Sequence, residues 1–240
     1  MKKIVALLLV LCIAASVFAV GSVRGGAAFE FLSGKTRNFK LNDTELPNTE
    51  TKYKFTGLGV NVGGKYELDS NLSVWADFSL VFGFDAKFKE GDNTKWYSFK
   101  DEFNKIMKDN PGLSGKLAIN SISIAAGAAY KLPIGNAPVE VSVGGGLFFE
   151  RALSKMSFSY GGESSSYTNK IAIIGLSAYA DCVYKITDQI GVALTIMPRF
   201  GLLGFAKEIN TANSSSQTWK ANGFAFSFSL PVAIGATYSF

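Results

Sequence analysis

The 240-residue sequence contains no histidine, which excludes several kinds of catalytic and metal site. Serine–histidine and aspartate–histidine catalysis both need an imidazole that accepts a proton near neutral pH. Histidine-based zinc sites are excluded for the same reason, and the two cysteines, Cys12 and Cys182, are too few for a thiolate cluster. We therefore expect no enzyme activity, no metal and no cofactor.

Long apolar runs are missing too, apart from Ile4 to Ala15, which follows two lysines and precedes the segment Ser16 to Ala19. This order is typical of a secretory signal peptide, and the run is shorter than the roughly 20 apolar residues of a spanning helix. We expect residues 1–19 to be a signal peptide and residues 20–240 to be one mature domain. Without the two leader lysines the basic excess is small, so nothing indicates nucleic-acid binding.

The sequence is rich in alternation instead, most clearly in its last stretch, Asn222 to Phe240. From Phe224 onward the even positions are apolar, whereas the odd positions hold small or polar residues. Successive side chains of a strand point to opposite faces, so one face would be apolar and the other small or polar. This pattern is typical of transmembrane β-barrel strands, although an edge strand of a soluble sheet is the alternative for one segment alone.

Seven more segments alternate in the same way, which predicts eight strands: Val23 to Phe31, Phe55 to Leu68, Leu72 to Asp85, Leu117 to Leu132, Val139 to Arg151, Lys170 to Ile186, Ile190 to Phe205, and the last stretch. In the fourth segment the phase slips near Asn120, which suggests a bulge or a later start. The connections alternate between long and short. The predicted long ones are Ser33 to Lys54, Ala86 to Lys116, Ala152 to Thr168 and Ala206 to Ala221.

An even strand number places both chain ends on the side of the short turns, as in bacterial outer-membrane barrels. The fold class we predict is all-β: an eight-stranded antiparallel up-and-down transmembrane β-barrel with a short helix in the second long loop. Prolines 198 and 231 fall inside predicted strands. We expect a bulge or the loss of one ladder hydrogen bond at each, and the two could lie close together.

The chain resembles small bacterial outer-membrane β-barrel proteins of the OmpA/OmpX/OmpW type over residues 20–240. The features that carry the resemblance are the export signal, the alternation, the loop pattern and the terminal aromatic residues Tyr238 and Phe240. It implies a location in the outer membrane, contact with outer-membrane lipid, and passage through periplasmic chaperones and the barrel-assembly machinery, which would read the aromatic end. The barrel enzymes of this class rely on a histidine, which this chain lacks.

An eight-stranded barrel is only just wide enough for side chains to fill its lumen. Charges there need partners. The predicted inward-facing charged residues nearly cancel, so we expect an ion-pair network that plugs the barrel, with an ion pathway as the alternative; they are Arg24, Glu30, Lys65, Asp77, Lys131, Glu140, Glu150, Asp181, Lys185 and Arg199.

The second long loop contains a helical pattern from Trp96 to Asp109, with Ser98 as a candidate N-cap. Its apolar stripe either packs on the barrel rim or lines a mouth for a hydrophobic ligand, and the OmpW resemblance implies uptake of apolar molecules. The candidate contact residues are Trp96, Tyr97, Phe99, Phe103, Ile106 and Met107. We expect a structural or surface-interaction protein with a plugged lumen and four long extracellular loops that could bind an external ligand. The alternative is a narrow channel for small or hydrophobic solutes.

Overall fold

The computed structural model describes residues 21–37, 39–41, 44–45, 50–90, 95–135, 137–212, 215–223 and 226–240. The predicted signal peptide lies outside these residues. Within them, no helix has the length and apolar character needed to cross a membrane.

The described residues form thirteen strands and one helix. In chain order they are β1 (Gly21–Arg37), β2 (Phe39–Leu41), β3 (Thr44–Glu45), β4 (Glu50–Glu67), β5 (Leu72–Glu90), β6 (Tyr97–Ser98), α1 (Phe99–Asp109), β7 (Ser114–Leu132), β8 (Val139–Tyr160), β9 (Glu163–Lys185), β10 (Ile190–Ile196), β11 (Arg199–Ala212), β12 (Ser215–Gly223) and β13 (Phe226–Ser239).

The long strands close into a ring of eight antiparallel barrel strands. We call each of the eight a stave, because one of them consists of two successive strands. Strand β1 pairs with β4 on one side and with β13 on the other, so Val23 lies opposite both Gly64 and Tyr238. Strands β10 and β11 are two halves of one stave, since both pair with β9 and with β13. The predicted eight-stranded antiparallel barrel, with its short helix in the second long connection, is confirmed.

The third long connection differs from the prediction, because Ala152 to Thr168 is not an irregular loop. Strand β8 continues to Tyr160 and β9 begins at Glu163, and the turn between them consists of Gly161 and Gly162 with φ of 57° and 88°. Polar Ser and Thr residues can form strands as well as loops, and a Gly-Gly pair is a favoured hairpin turn. The fourth connection is likewise partly strand, in β11 and β12.

Two β-bulges change the phase of the alternation. Thr56 pairs with Asp85 and Gly57 with Gly83, so Phe84 is the extra residue; Leu202 is the extra residue on β11. Beyond each bulge the inward-facing positions change from odd to even.

The bulge or later start suggested near Asn120 is wrong, because β7 keeps one register with β8 throughout. What changes there is the composition of the inward face, from serine to larger apolar residues.

Both prolines within the barrel weaken the ladder as expected. The Pro198 carbonyl accepts a hydrogen bond from the amide of Ala178 (2.8 Å), and the Pro231 carbonyl accepts one from Met197 (3.0 Å). A proline nitrogen carries no hydrogen and cannot donate a bond in return. The pairs Ala178–Pro198 and Met197–Pro231 therefore have one backbone hydrogen bond each where two are usual. The Met197–Pro231 bond also shows that the two prolines lie on neighbouring staves and close together, as the sequence suggested.

The exterior of the barrel is apolar around its whole circumference. Large side chains such as Leu147 and Phe82 are 64% and 58% exposed. Near the short turns, one tyrosine projects outward from every second stave: Tyr66, Tyr130, Tyr184 and Tyr238. An apolar band with an aromatic girdle is the outer surface of a barrel that spans a bilayer, since only lipid covers such a surface on all sides.

Candidate functional site

The lumen is the candidate site, because the inward faces of the staves hold the charged residues that the sequence singled out. Their side chains form two separate polar layers. A third, apolar layer fills the end of the barrel beneath α1.

The lower layer is centred on Arg24 of β1. Its Nη1 donates to Asp181 Oδ1 and to the Tyr179 hydroxyl, both at 2.9 Å, and its Nη2 donates to Asp77. The Tyr179 ring stacks on Trp75, with centroids 4.4 Å apart and an interplanar angle of 15°. A single guanidinium thus ties together three staves, β1, β5 and β9, across the lumen.

Uncharged side chains complete the hydrogen bonding of the two aspartates. Asn61 donates to Asp77 and also to the Ser79 hydroxyl at 2.9 Å, while the Thr195 hydroxyl donates to Asp181 at 2.9 Å. Buried charges are tolerated when partners and hydrogen bonds compensate them in this way. The layer therefore links five staves through charged and uncharged hydrogen bonds, although Arg24 Nε and Trp75 Nε1 have no hydrogen-bond partner among the described residues.

Towards the short turns the network continues through three lysines around one glutamate. Lys65 Nζ lies 3.0 Å from Asp181 and 3.6 Å from Glu140, which also contacts Lys131 at 2.8 Å and Lys185 at 3.2 Å. The Lys131 and Lys185 side chains are 36% and 44% exposed, so these two pairs face solvent at the mouth. Exposed pairs of this kind contribute little stability.

The upper layer is a group of three fully buried residues: Arg199 of β11, Glu30 of β1 and Glu150 of β8. Arg199 Nη1 lies 3.6 Å from Glu30 Oε1 and 3.7 Å from Glu150 Oε2. The Ser229 hydroxyl donates to Glu150 Oε2 at 2.9 Å, and the guanidinium lies over the Phe148 ring at 5.6 Å. Two carboxyl groups thus share one cation away from water.

The apolar layer above this group is closed by α1. Phe99 is buried against Phe88 and Tyr167, with ring centroids 5.1 and 5.6 Å away, and Phe103 stacks on Phe158 at 5.6 Å. Two cavities, one in the lower polar layer and one in this apolar layer, have a volume of about 10 Å³ each. A space of this size holds about one water molecule.

The helix begins where the sequence predicts. Ser98 is its N-cap, and its hydroxyl accepts a hydrogen bond from the Asp101 amide at 3.0 Å and donates one to Asp85 at 2.8 Å. The cap orients the first turn so that Phe99 points into the barrel.

Four of the six predicted apolar contact residues, Phe99, Phe103, Ile106 and Met107, follow helical spacing on one face of α1, and Phe103 and Met107 both approach Gly115 of β7. Phe99 and Phe103 point into the barrel, Ile106 and Met107 are half-buried, and Tyr97 is exposed. Trp96 packs under Lys54, whose Nζ lies 4.5 Å from the ring centroid.

Every one of the charged lumen residues predicted from sequence faces inward, but the structure divides them into two groups. The prediction did not anticipate that Arg199 joins Glu30 and Glu150 while Asp181 joins Arg24 and Lys65. The aromatic pair of Trp75 and Tyr179 was also not recognised as part of the site. The sequence signal that could have identified this pair is a large aromatic residue at an inward-facing position of each strand, next to small inward-facing residues such as Ser73 and Ser177.

Metal chemistry finds no support in the part of the chain that is described, where no three acidic or cysteine side chains come together as a metal site requires. Cys182 faces outward and is a free thiol. The acidic groups of the lumen are engaged with cations instead, so the arrangement serves to hold the staves together.

Comparisons with known proteins identify the fold. Neither protein-family models nor curated proteins match the chain. Among solved structures, the outer membrane protein OprG from Pseudomonas aeruginosa is similar with a TM-score of 0.52 and 10% identity, over 92% of this chain and 96% of that one. A major outer membrane protein from Thermus thermophilus has a TM-score of 0.50 and 12% identity, over 89% and 99% of the two chains.

The outer membrane protease OmpT from Escherichia coli is similar at a TM-score of 0.43 and 10% identity, over 93% of this chain and 98% of that one. Likenesses at such low identity show the fold alone. The chain has the fold of small outer-membrane β-barrel proteins, and its apolar exterior is that of a barrel that spans a lipid bilayer.

Proposed function

We propose that this protein is a closed outer-membrane anchor that presents its strand extensions, loops and α1 at the cell surface, and that it is not an enzyme. The observation that carries the proposal is the filled lumen. Ion pairs, aromatic side chains and α1 occupy it in three successive layers, and the two cavities described above each have room for about one water.

The energetics of the lumen support closure. An open pathway needs water, which would solvate Arg199 and its two glutamates, yet all three are fully buried. Charges are retained in a dry interior only where they pair with one another. The function then resides on the outer end, where strands β8 and β9 form a long hairpin beyond the apolar band and could meet an external ligand.

Assembly is the second part of the proposal. Phe240 is exposed and packs edge-on against Tyr238, with centroids 5.2 Å apart, while its amide donates to the Gly21 carbonyl at 3.0 Å. The aromatic end thus lies at the seam where β13 closes on β1. We infer that the barrel-assembly machinery, after periplasmic chaperones have delivered the chain, reads these two residues before the seam closes.

A narrow passage for small or hydrophobic solutes is the second candidate function. It is favoured by the apolar lining of the upper lumen, including Leu32, Phe55 and Ile171, which one helix separates from the outside. Displacement of α1 would expose this lining, whereas the two polar layers beneath it would still have to open.

Single-channel recording in a planar bilayer separates the two candidates. The mature chain, residues 20–240, is refolded in detergent, and a heat-modifiability gel confirms the barrel. We expect no discrete openings from the wild type. A triple variant, Glu30→Ser, Glu150→Ser and Arg199→Ser, removes the upper polar layer. It should conduct if water and ions can also pass the lower polar layer. Leu147→Ala on the outer surface is the matched control and should stay silent. Steady openings of the wild type would overturn the closed anchor.

A further inference from the structure

Five basic side chains project outward from four consecutive staves just beyond the apolar band. We call this set the basic patch; it consists of Lys116 on β7, Arg151 and Lys155 on β8, Lys170 on β9 and Lys207 on β11. Four of them are exposed and Lys170 is half-buried. They face outward because their neighbours along each strand, such as Ile171 and Ala206, face the lumen.

The strand register brings like charges together. Lys170 of β9 lies directly opposite Lys207 of β11, and Lys155 lies opposite Thr168, two positions from Lys170. On the other side of β8, Lys155 pairs with Ala118, two positions from Lys116. Like charges opposite one another on one face destabilise a sheet unless a counter-charge lies between them.

No acidic side chain of the described protein supplies that counter-charge within the patch. On these four staves, Glu140, Glu150 and Asp181 point into the lumen. Glu208 follows Lys207 but points inward, where Asn169 donates to it at 3.3 Å. Glu163 lies at the far end of the β8–β9 hairpin, opposite Tyr160. Within the described part of the chain, the five basic side chains are therefore left without an acidic partner.

A second group of paired lysines shows what internal compensation looks like in this barrel. Lys54 of β4 lies opposite Lys87 of β5. Here Asp85 approaches Lys87 at 3.7 Å, and the Trp96 ring lies 4.5 Å from Lys54 Nζ. The basic patch has no such partner among the residues described, so the two lysine pairs are not equivalent.

The patch also borders the lipid-facing surface directly. Phe149 precedes Arg151 by two positions and Phe205 precedes Lys207 by two, and both aromatic side chains are exposed on the same outer face. The patch therefore lies where lipid head groups meet the apolar band. At the opposite end of the barrel the short turns carry the exposed acidic residues Glu67, Asp69 and Asp188.

We propose that the basic patch binds the phosphate groups of an anionic lipid of the outer leaflet, with one phosphate held between Lys170 and Lys207. A phosphate presents several charged oxygens at once and suits two ammonium groups on adjacent strands. The lipid's acyl chains would lie along the apolar band below it. This inference rests on the outer-membrane placement of the barrel and does not depend on whether the lumen conducts.

Lipid retention measured by native mass spectrometry tests the proposal. The refolded mature barrel is titrated with lipid A carrying both phosphates and, separately, with the dephosphorylated lipid. The variant Lys170→Gln with Lys207→Gln should bind the phosphorylated lipid roughly tenfold or more weakly at low salt, since each basic residue contributes to attraction at an anionic membrane surface. Lys100→Gln with Lys105→Gln, which removes two exposed lysines of α1, is the matched control and should bind like the wild type.

Several results would overturn the proposal: equal binding of both lipids by the wild type, equal loss in the test and control variants, or displacement of the lipid by an equimolar amount of inorganic pyrophosphate. The last result would indicate a site for soluble anions. A heat-modifiability gel on each preparation shows that the barrel is folded, so a binding failure is distinguished from a failure of the proposed membrane anchor.

Discussion

At the scale of single residues, the upper polar layer is the least balanced part of the lumen. Arg199 offers one positive charge to Glu30 and Glu150, and the nearest contacts are 3.6 and 3.7 Å, longer than a direct hydrogen bond. The arrangement therefore depends on the guanidinium, because without it two buried carboxyl groups face each other.

Removing that guanidinium should strongly destabilise the barrel. We expect Arg199→Met to lower the free energy of unfolding by about 3–5 kcal/mol, as is found when one partner of a buried ion pair is removed. Urea unfolding in detergent, followed by tryptophan fluorescence, measures the change. Arg151→Met is the matched control, since Arg151 is exposed on the outer face, and should change little.

A triple variant tests whether unpaired charge or lost packing causes the instability of Arg199→Met. Arg199→Met combined with Glu30→Gln and Glu150→Gln removes all three charges, so it should recover much of the stability lost in Arg199→Met. If the triple variant is as unstable as the single one, lost packing rather than unpaired charge explains the effect.

Asp69 gives a prediction for pH dependence outside the membrane. The amides of Asn71 and Leu72 donate to its Oδ1 at 2.8 and 2.7 Å, and these bonds to the charged form lower the pKa of Asp69 below the ordinary value of 3.8. A lowered pKa in the folded state means that the turn is stabilised above the ordinary pKa and loses that contribution as pH falls through the lowered one.

An NMR titration of the refolded barrel in detergent should therefore show the Asp69 carboxyl titrating with a midpoint below the ordinary value of 3.8. The amide signals of Asn71 and Leu72 should shift with the same midpoint. Asp69→Asn should abolish that shift. A midpoint at or above the ordinary value would show that the two hydrogen bonds do not persist in solution.

At the scale of elements, α1 is a short helix whose position depends on its cap and on two phenylalanines. Phe99 and Phe103 occupy successive turns on one face and insert into the apolar layer of the lumen. A helix of 11 residues is marginal alone, so packing and capping determine whether it forms.

Loss of the cap should loosen this helix without unfolding the barrel. Ser98→Ala removes the acceptor for the Asp101 amide, and the expected cost of about 1 kcal/mol speeds hydrogen exchange of that amide by about fivefold. Ser98→Thr keeps the hydroxyl and should exchange at nearly the wild-type rate. Exchange in β4 and β8 should not change, because their ladders are independent of α1. Unchanged exchange at Asp101 in the alanine variant would exclude the capping role.

At the scale of the whole molecule, the barrel is organised as an apolar exterior around a charged interior. The outer end carries the basic patch, the short turns carry exposed acidic residues, and the tyrosine girdle marks the membrane boundary near those turns. Silent bilayer recordings and phosphate-dependent lipid retention are the two whole-molecule outcomes that we expect, and each can fail independently of the other.

Much of this organisation was predictable from local pattern. A period of two is intrinsic to a strand, so the inward or outward direction of residues such as Asp77 and Leu147 followed from their sequence neighbours alone. The prediction is limited where the same residue types occur in both loops and strands. The Ser-rich segment Ala152 to Thr168 has a composition typical of loops, and only pairing with a neighbour makes it a hairpin.

The amino-acid sequence by itself determined the number of staves, their faces and the inward set of charges, because each of these depends on periodicity within one segment. Only the tertiary structure decided which charges meet. Arg199 reaches Glu30 and Glu150, and Lys170 meets Lys207, through the register between staves and the two bulges at Phe84 and Leu202. Register is a relation between distant segments and is set when the ring closes, so no single segment encodes it.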